Sequence, residues 1–324
     1  MPNPLLSIIV LNWNGETIFP ACLESLEKTE YPAYEVVFFD NGSTDNSVRL
    51  ARDFQGIKII ENKANLGYAA GNNRAFQSIC NSSKYVCFLN NDIVVTPAWL
   101  NDPIFYMEEH NAIGAIACRN MNYPNRNIID GLYHYIRPFF ALARFGRGLP
   151  YILDPLYSEP GFVMSALGAS AIYRTDLFLS LGGFDESFYS YYEDADLCMR
   201  INNNGFRCLY VPNAIVYHHD QASFRKKANA AFYYSFRNEL IFFKKNFPPL
   251  FLSRYLKKML LENLRILKSC IFGSNDLRTF LRARKDSLAM LKNYHFIDTC
   301  RAFDAPYINQ LILEKKVLFR NSLQ

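Results

Sequence analysis

The chain has 324 residues, half of them hydrophobic and a fifth charged, which excludes a disordered or fibrous protein and leaves room for one large α/β domain plus an appendage. Its net charge of +5 conceals a division: residues 221–324 carry 20 Lys and Arg against 7 Asp and Glu, whereas residues 1–220 carry 15 against 23. An acidic front suits bound metal ions, and a basic back suits an anionic partner such as a lipid surface.

The eight cysteines (Cys22, Cys80, Cys87, Cys118, Cys198, Cys208, Cys270 and Cys300) are scattered, without a CxxC pair. They predict reduced core thiols in a cytosolic chain rather than a disulfide framework or a zinc site. The N-terminal MPNPLLSIIVLNWNG lacks the basic start of a signal peptide, and no stretch reaches the roughly 18 uncharged apolar residues of a membrane span.

Leu6–Leu11 (LSIIVL) is a continuous β-branched run and predicts a buried strand ending at Asn12-Trp13-Asn14-Gly15. Glu16–Lys28 has helical spacing, with Ile18, Cys22, Leu23 and Leu26 on one face. Glu35–Phe39 is a second strand, emptying into Asp40-Asn41-Gly42-Ser43-Thr44-Asp45, where Asn-Gly makes a tight turn and Thr44 or Asp45 can cap a helix through Phe54. Ile57–Ile60 is a third strand, and Asn65-Leu66-Gly67-Tyr68-Ala69-Ala70-Gly71-Asn72-Asn73 leads into a helix toward Ile79. Tyr85–Leu89 is the fourth, reaching Asn90-Asn91-Asp92 before Ile93–Val95 resumes the apolar character. Thr96-Pro97 predicts a helix start running to about His110, and Ala112–Cys118 is a fifth strand.

Strands alternating with helices predict βαβ units and a mainly parallel, twisted sheet. Asn12, Asp40 and Asp92 then share the carboxyl edge of that sheet, where ligands sit in open α/β folds. An isolated carboxylate with amide neighbours suits a hard divalent cation that shares a diphosphate; the plain alternative is a polar turn. GxGxxG is absent after the first strand and no GxxxxGK[ST] occurs, which disfavours dinucleotide oxidoreductases and P-loop ATPases. Gly67 and Gly71 instead let backbone approach a ligand or a neighbouring strand.

Residues 119–160 lose periodicity and predict a long functional loop on the acceptor side. Leu167–Tyr173 is a strand and a short helix starts at Thr175. Tyr189-Ser190-Tyr191-Tyr192 then precedes Glu193, Asp194 and Asp196 at the start of a helix that stops at Gly205. Carboxylates in a first turn are favoured by the helix dipole, and one of them can serve as a general base. Asp196 and Arg200 are spaced to pair along the helix. Cys208–Val211 and Ala214–Tyr217 are short strands leading to His218-His219, of which one alone can face a cleft.

In order, NWNG, DNGSTDNS, NLGYAAGNN, LNND, GGFDESFYSYYEDADLCMR and VYHH resemble the family 2 glycosyltransferases of GT-A fold, particularly bacterial rhamnosyltransferase-like members, over roughly residues 5–245. The resemblance is specific because six motifs occur in order. It implies an α/β, GT-A type, mainly parallel twisted sheet flanked by helices, with a catalytic domain at 1–222 (nucleotide-sugar binding 1–118, acceptor side 119–222) and a basic, aromatic-rich helical C-terminal region at 223–324. It implies a nucleotide-sugar donor held by Asn12, Asp40, Asn65, Gly67, Asn72 and Asn91. It implies Mg²⁺ or Mn²⁺ on Asp92, with His218 matching the downstream histidine ligand better than His219. Asn90 stands where the family's metal motif has its first Asp. Asp194 matches the catalytic base, with Glu193 beside it. The implied reaction is a single inverting displacement onto a hydroxyl of a growing, lipid-linked cell-surface glycan. Asp40 can pair with the N3–H of uracil or thymine, which favours UDP or dTDP over GDP.

Phe232–Lys258 is dense in aromatic and basic residues and predicts a helix to about Asn246, a break at Pro248-Pro249 and a second helix. Such a region suits an anionic membrane surface, which would place the chain peripherally on the inner face of the cytoplasmic membrane; the alternative is aromatics packed on the catalytic domain. No recognisable nucleic-acid module accompanies the basic residues. Two other functions compete. A sugar nucleotidyltransferase would need a Gly-rich basic N-terminal loop that is missing, and a non-catalytic scaffold has no need of the intact Asp40, Asp92 and Asp194.

Overall fold

The computed structural model describes residues 3–137, 141–152, 154–219, 224–272, 276–294, 307–308, 310–311 and 317–318. The expected boundary at residues 222–223, and most of the expected helical tail beyond residue 294, lie outside the described residues.

β1 (Leu6–Asn12), β2 (Tyr34–Asp40), β3 (Ile57–Glu61) and β4 (Tyr85–Asn90) are the four expected strands, joined by α1 (Phe19–Leu26), α2 (Ser47–Ala51) and α3 (Gly67–Phe76). β1 pairs in parallel with β2 and β4, and β2 with β3, in a register that sets Asn12 beside Asp40 and Leu11 beside Asn90. Their carboxyl ends therefore share one edge, as βαβ connectivity requires. Successive side chains alternate between two cores. Ile8, Val10, Phe38, Cys87 and Leu89 pack with α1, whereas Ile9, Val37, Phe39, Val86 and Phe88 pack with α3.

Two helices differ from expectation at their starts. α3 takes in the glycine run instead of following it. α2 is short and uses neither Thr44 nor Asp45 as its cap; Asp45 accepts from the Ser47 and Glu16 amides, at 3.0 Å each, and ties the turn to the loop after β1.

β5 (Ile93–Val95) precedes α4 (Asn101–Glu109), which begins beyond Thr96-Pro97 because the Thr96 hydroxyl donates to the Ile215 carbonyl at 3.0 Å. β6 (Ile113–Asn122) runs past its expected end. Residues 119–160 are not one irregular loop: after β6 they hold β7 (Ile129–Gly131), β8 (His134–Ile136), β9 (Leu142–Arg144) and α5 (Pro155–Ser158). Strands of three residues are too short to display a period of two.

β10 (Gly161–Val163), β11 (Ser170–Arg174), α6 (Thr175–Ser180) and α7 (Glu193–Asn203) follow. β12 (Arg207–His218) unites the two expected short strands, with a register shift between Val211 and Ile215 where Pro212 removes a donor. The C-terminal helices α8 (Phe224–Asn246), α9 (Pro249–Phe272) and α10 (Leu277–Met290) include the expected proline break. β13 (Val317–Leu318) pairs antiparallel with β10.

The main sheet runs β13-β10-β12-β6-β11-β4-β1-β2-β3, with β5 on β12 and β7 on β6. It is mixed: β3, β2, β1 and β4 run parallel, and β11 runs antiparallel between β4 and β6. β5 pairs with β12 so that Ile93 lies opposite His218, which brings the end of the chain's last long strand to Asp92. Several aromatics at the end of α8, in the following turn and at the start of α9 face inward, while Phe232, Tyr233, Tyr234 and Phe236 are half-buried. Phe242, Phe243, Phe247 and Phe251 are buried with Met164, Phe188 and Met199 in a third core.

Candidate active site

The sheet edge gathers Asn12, Asp40 and Asn91 into one hydrogen-bonded network. Asn12 Nδ2 donates to Asp40 Oδ1 at 3.1 Å, and Asn91 Nδ2 donates to Asn12 Oδ1 at 2.7 Å. Asp40 also accepts from the Ser43 hydroxyl and amide, at 2.5 and 2.9 Å. A Cβ at Gly15 would come within 2.4 Å of both Asn12 Oδ1 and Asn91 Nδ2, so no other residue fits there without moving them.

Asn65 Oδ1 accepts from the Gly67 amide at 2.8 Å, and Asn41 Nδ2 donates to the Gly67 carbonyl at 3.0 Å. Gly67 has φ +82°, and a Cβ on it would strike the Tyr189 ring at 2.6 Å. The close approach that Gly67 permits is therefore made by Tyr189. The Tyr189 carbonyl accepts from the Tyr68 and Ala69 amides at 2.7 and 3.1 Å. Asn72 is buried in α3, donates to the Tyr68 carbonyl at 3.1 Å, and leaves Oδ1 without a hydrogen-bond partner.

Asp92 and His218 form the second cluster. His218 Nε2 lies 3.2 Å from Asp92 Oδ1, and its Nδ1 lies 2.8 Å from Asp130 Oδ2. Arg144 reaches the same Asp130 oxygen at 3.0 Å. His219 turns the other way and stacks on Tyr123, their ring centroids 3.4 Å apart.

Burial works against a charge on His218, but Asp92 and Asp130 outweigh it and push its pKa up to about 10. Burial likewise opposes the Asp92 charge, yet His218 holds that carboxyl below the usual range. An unfolded histidine titrates near pH 6.5, so the His218 contribution to stability is full below that pH and is lost as pH rises toward 10. The metal-free chain should lose up to about 1.4 kcal/mol per pH unit across this window from His218 alone. Denaturant titrations at about pH 7, 8 and 9 should show that loss, flattened in His218→Gln; an equal slope in the variant would reject a charged His218.

The third cluster opens α7. Asp194 Oδ2 accepts from the Gly168 amide at 2.7 Å and lies 4.0 Å from His134 Nδ1, while Oδ1 accepts from the Ala195 amide at 2.7 Å. Burial, with the Asp194 charge next, raises the Glu193 carboxyl well above the usual range. Burial also lowers the His134 pKa, against the pull of Asp194, and keeps that ring neutral. Asp196 faces away from this chemistry. It is fully buried and accepts from Arg200 Nε at 2.9 Å, Lys245 Nζ at 2.9 Å and Asn246 Nδ2 at 2.8 Å, joining α7 to α8.

The turn before α7 is strained. Tyr189, Tyr191 and Tyr192 have φ of 62°, 70° and 76°, a region that costs a non-glycine residue on the order of 1–3 kcal/mol. α8 holds it. Asn238 is fully buried and its amide donates to the carbonyls of Phe188, Ser190 and Tyr191 at 2.9, 2.9 and 2.7 Å. Arg237 donates to the Ser187 and Phe188 carbonyls at 2.6 and 2.7 Å and lies over the Tyr234 ring, which stacks on Tyr189. Asn238→Ala leaves buried carbonyls unpaired and should cost about 2–3 kcal/mol in denaturant unfolding. A loss within about 0.5 kcal/mol would contradict this role.

Asp92, His218, Asp130, His134, Glu193 and Asp194 all line one cavity of about 890 Å³. Asn12, Asp40, Asn65, Gly67, Asn72 and Asn91 lie outside its wall. Sequence reasoning missed Asp130, Arg144, His134, Gly168 and Asn238. The IDG triplet around Asp130 was a faint signal, an acid between an apolar residue and a glycine.

The model of glycosyl transferase family 2 matches residues 7–177. Rhamnosyltransferase WbbL of Escherichia coli K12 is 28% identical over 240 residues, 69% of this chain and 88% of that protein. O-antigen biosynthesis protein RfbC of Myxococcus xanthus is 28% identical over 241 residues, 69% of this chain, and the chain spans 18% of its length. The fold is shared with S. aureus TarS 1–349 in complex with UDP-GlcNAc (TM-score 0.59, 20% identity, 88% of this chain and 80% of that one). It is also shared with GalNAc-T7 with UDP, GalNAc and Mn²⁺ (TM-score 0.64, 16% identity, 95% and 57%). With a family match that spans more than half of its residues, the chain belongs to glycosyl transferase family 2.

Proposed function

We propose that this chain is a glycosyltransferase that moves a sugar from a UDP- or dTDP-activated donor to a hydroxyl of a growing, lipid-linked surface glycan, with inversion at the anomeric carbon. Rhamnose is the favoured sugar, since WbbL is named a rhamnosyltransferase. A Mycobacterium tuberculosis relative, 24% identical over 236 residues, is named N-acetylglucosaminyl-diphospho-decaprenol L-rhamnosyltransferase, which supports a lipid-linked acceptor. The observation that carries the reading is the cavity in which Asp92 and His218 meet Glu193 and Asp194.

Asp92 and His218 fit a divalent cation. Asp92 Oδ1 is buried and has no hydrogen-bond partner, although His218 Nε2 faces it at 3.2 Å. A buried carboxylate oxygen and an imidazole nitrogen this close are a donor pair that could hold an ion. Carboxylate oxygen suits Mg²⁺ or Mn²⁺, and the imidazole favours Mn²⁺ of the two. Asp130 on Nδ1 orients the ring and makes Nε2 the coordinating nitrogen. No group of three or more His, Cys, Asp and Glu arranged to hold a metal occurs among the described residues, so diphosphate oxygens and water would complete the coordination. When bound, the ion supplies charge neutralisation at the departing nucleoside diphosphate.

Asp194 takes the proton of the acceptor hydroxyl as the new bond forms. The Gly168 and Ala195 amides fix its two oxygens, and the Tyr68 hydroxyl donates to the Gly168 carbonyl, bracing that loop. Glu193, its carboxyl pushed up by burial and by Asp194, offers a hydrogen bond to an acceptor oxygen. Tyr135, Tyr157, Tyr191 and Tyr192 also line the cavity and suit the apolar faces of sugar rings. The test is to incubate the chain with Mn²⁺, dTDP- and UDP-sugars and a polyprenyl-diphosphate-linked glycan, and to read the product's anomeric configuration by NMR. Inversion supports the reading; retention, or pyrophosphate release from a sugar phosphate and a nucleoside triphosphate, rejects it.

A further inference from the structure

No helix among the described residues is long and apolar enough to cross a membrane, yet α9 exposes a continuous apolar stripe. Leu256, Leu260, Leu264 and Ile271 are each more than half exposed. Their spacings of four, four and seven residues put them on one helical face. The opposite face of α9 is spoken for, since Phe251, Leu252, Tyr255 and Met259 pack into the third core. Leu250 and Phe272, at the two ends, are 84% and 81% exposed. An apolar surface of this length is uncommon on a soluble chain and marks something it meets.

The charge beside the stripe says what. On a helical projection, Lys257 and Lys268 border the leucines, followed by Arg254, Arg265 and Lys258. These five basic residues face one acidic residue in α9, Glu262, which is mostly covered and lies 3.8 Å from Arg265. α10, which packs on α9, exposes Leu281 and Leu288 seven residues apart, with Arg282 and Lys285 also exposed. A protein partner would need a large acidic face to match. Anionic headgroups over a hydrocarbon interior offer both halves of the pattern at once.

We infer that α9 lies in the interface plane of an anionic lipid surface, with its leucine stripe among the acyl chains and its lysines and arginines on the headgroups. The contact surface is thus the leucine face of α9, not the aromatic run of α8. This surface deepens the lipid-linked acceptor reading but stands on separate observations. Vesicle binding needs neither nucleotide nor acceptor, so it and the transfer assay fail independently.

The test is co-sedimentation of the full chain with vesicles of phosphatidylcholine alone, or with about 30% phosphatidylglycerol, at about 50 and 500 mM salt. Binding to the anionic vesicles only, weakened at least about tenfold by the higher salt, is expected. Leu260→Glu with Leu264→Glu should lower it at least about tenfold, as should Lys257→Glu with Lys258→Glu, with circular dichroism unchanged. In case a charged pair unfolds the helix, Leu260→Trp gives a second readout, a blue shift of its fluorescence on anionic vesicles. Absence of wild-type binding, full binding by the Leu260/Leu264 variant, or an unshifted emission from the Leu260→Trp variant overturns the inference. So does a lipid-independent dimer that Leu260→Glu with Leu264→Glu dissociates, because the stripe would then be an interface between copies.

Discussion

Asp194→Asn should lower transfer by about 10²–10⁴-fold, the usual worth of a positioned general base, while nucleotide affinity stays within about twofold. The substitution keeps the size of the side chain and an oxygen for the Gly168 amide, 2.7 Å away, and gives up the hydrogen bond from the Ala195 amide. What it removes is a basic oxygen. Glu193→Gln is the internal control. Burial and the neighbouring Asp194 raise the Glu193 carboxyl and favour the neutral acid that the amide mimics, so activity should fall about tenfold or less. Initial rates of donor consumption with acceptor present, beside calorimetric nucleotide affinities, separate the cases. If Glu193→Gln were the more damaging variant, the two roles would have to be exchanged.

The second large effect is expected at Asp92. Asp92→Ala removes one of the two proposed ligand atoms and leaves His218 with Asp130 alone, 2.8 Å from Nδ1. Metal-dependent nucleotide affinity should fall at least about 10²-fold, and raising Mn²⁺ to about 10 mM should not restore turnover. Asp130→Asn acts one step back, by releasing the ring that Asp130 orients, and should cost about 10–100-fold in metal affinity. Excess Mn²⁺ should rescue that variant. Manganese titrations followed by electron paramagnetic resonance would measure both, and equal rescue of both would contradict the assignment of Asp92 as the direct ligand.

The parts legible in the sequence were those fixed by short-range pattern plus topology. Continuous apolar runs ending in Asn12, Asp40 and Asn90 specified buried parallel strands, and right-handed crossovers did the rest. The acidic start of α7 was legible for a similar reason, since three carboxylates and a following Gly205 bracket a helix. His218 could be preferred to His219 only through resemblance; the structure separates them because neighbours on a strand face opposite ways, one to Asp92 and one to Tyr123.

What was not legible depends on long-range contact. Asp130 sits in a three-residue strand and meets His218 across 88 positions. Asn238 looks like any polar residue in an amphipathic helix until its three carbonyl partners, 47 to 50 positions earlier, are known. Gly67 reads as a ligand-facing glycine until Tyr189 fills the space beside it. Aromatics interleaved with lysines have the same composition whether they line a core or a membrane. Phe242 and Phe247 proved to be core, whereas Leu256, Leu260 and Leu264 of α9 are exposed.

The central claim is that Asp92 and His218 hold a divalent ion that couples to a nucleoside diphosphate. Calorimetric titration of the purified chain with UDP, dTDP and GDP, in Mn²⁺ and again in EDTA, tests it most directly. Binding of UDP or dTDP in Mn²⁺ is expected, weakened at least about tenfold in EDTA, with weaker binding of GDP. Absence of binding by a demonstrably folded chain, or equal binding in EDTA, would contradict it.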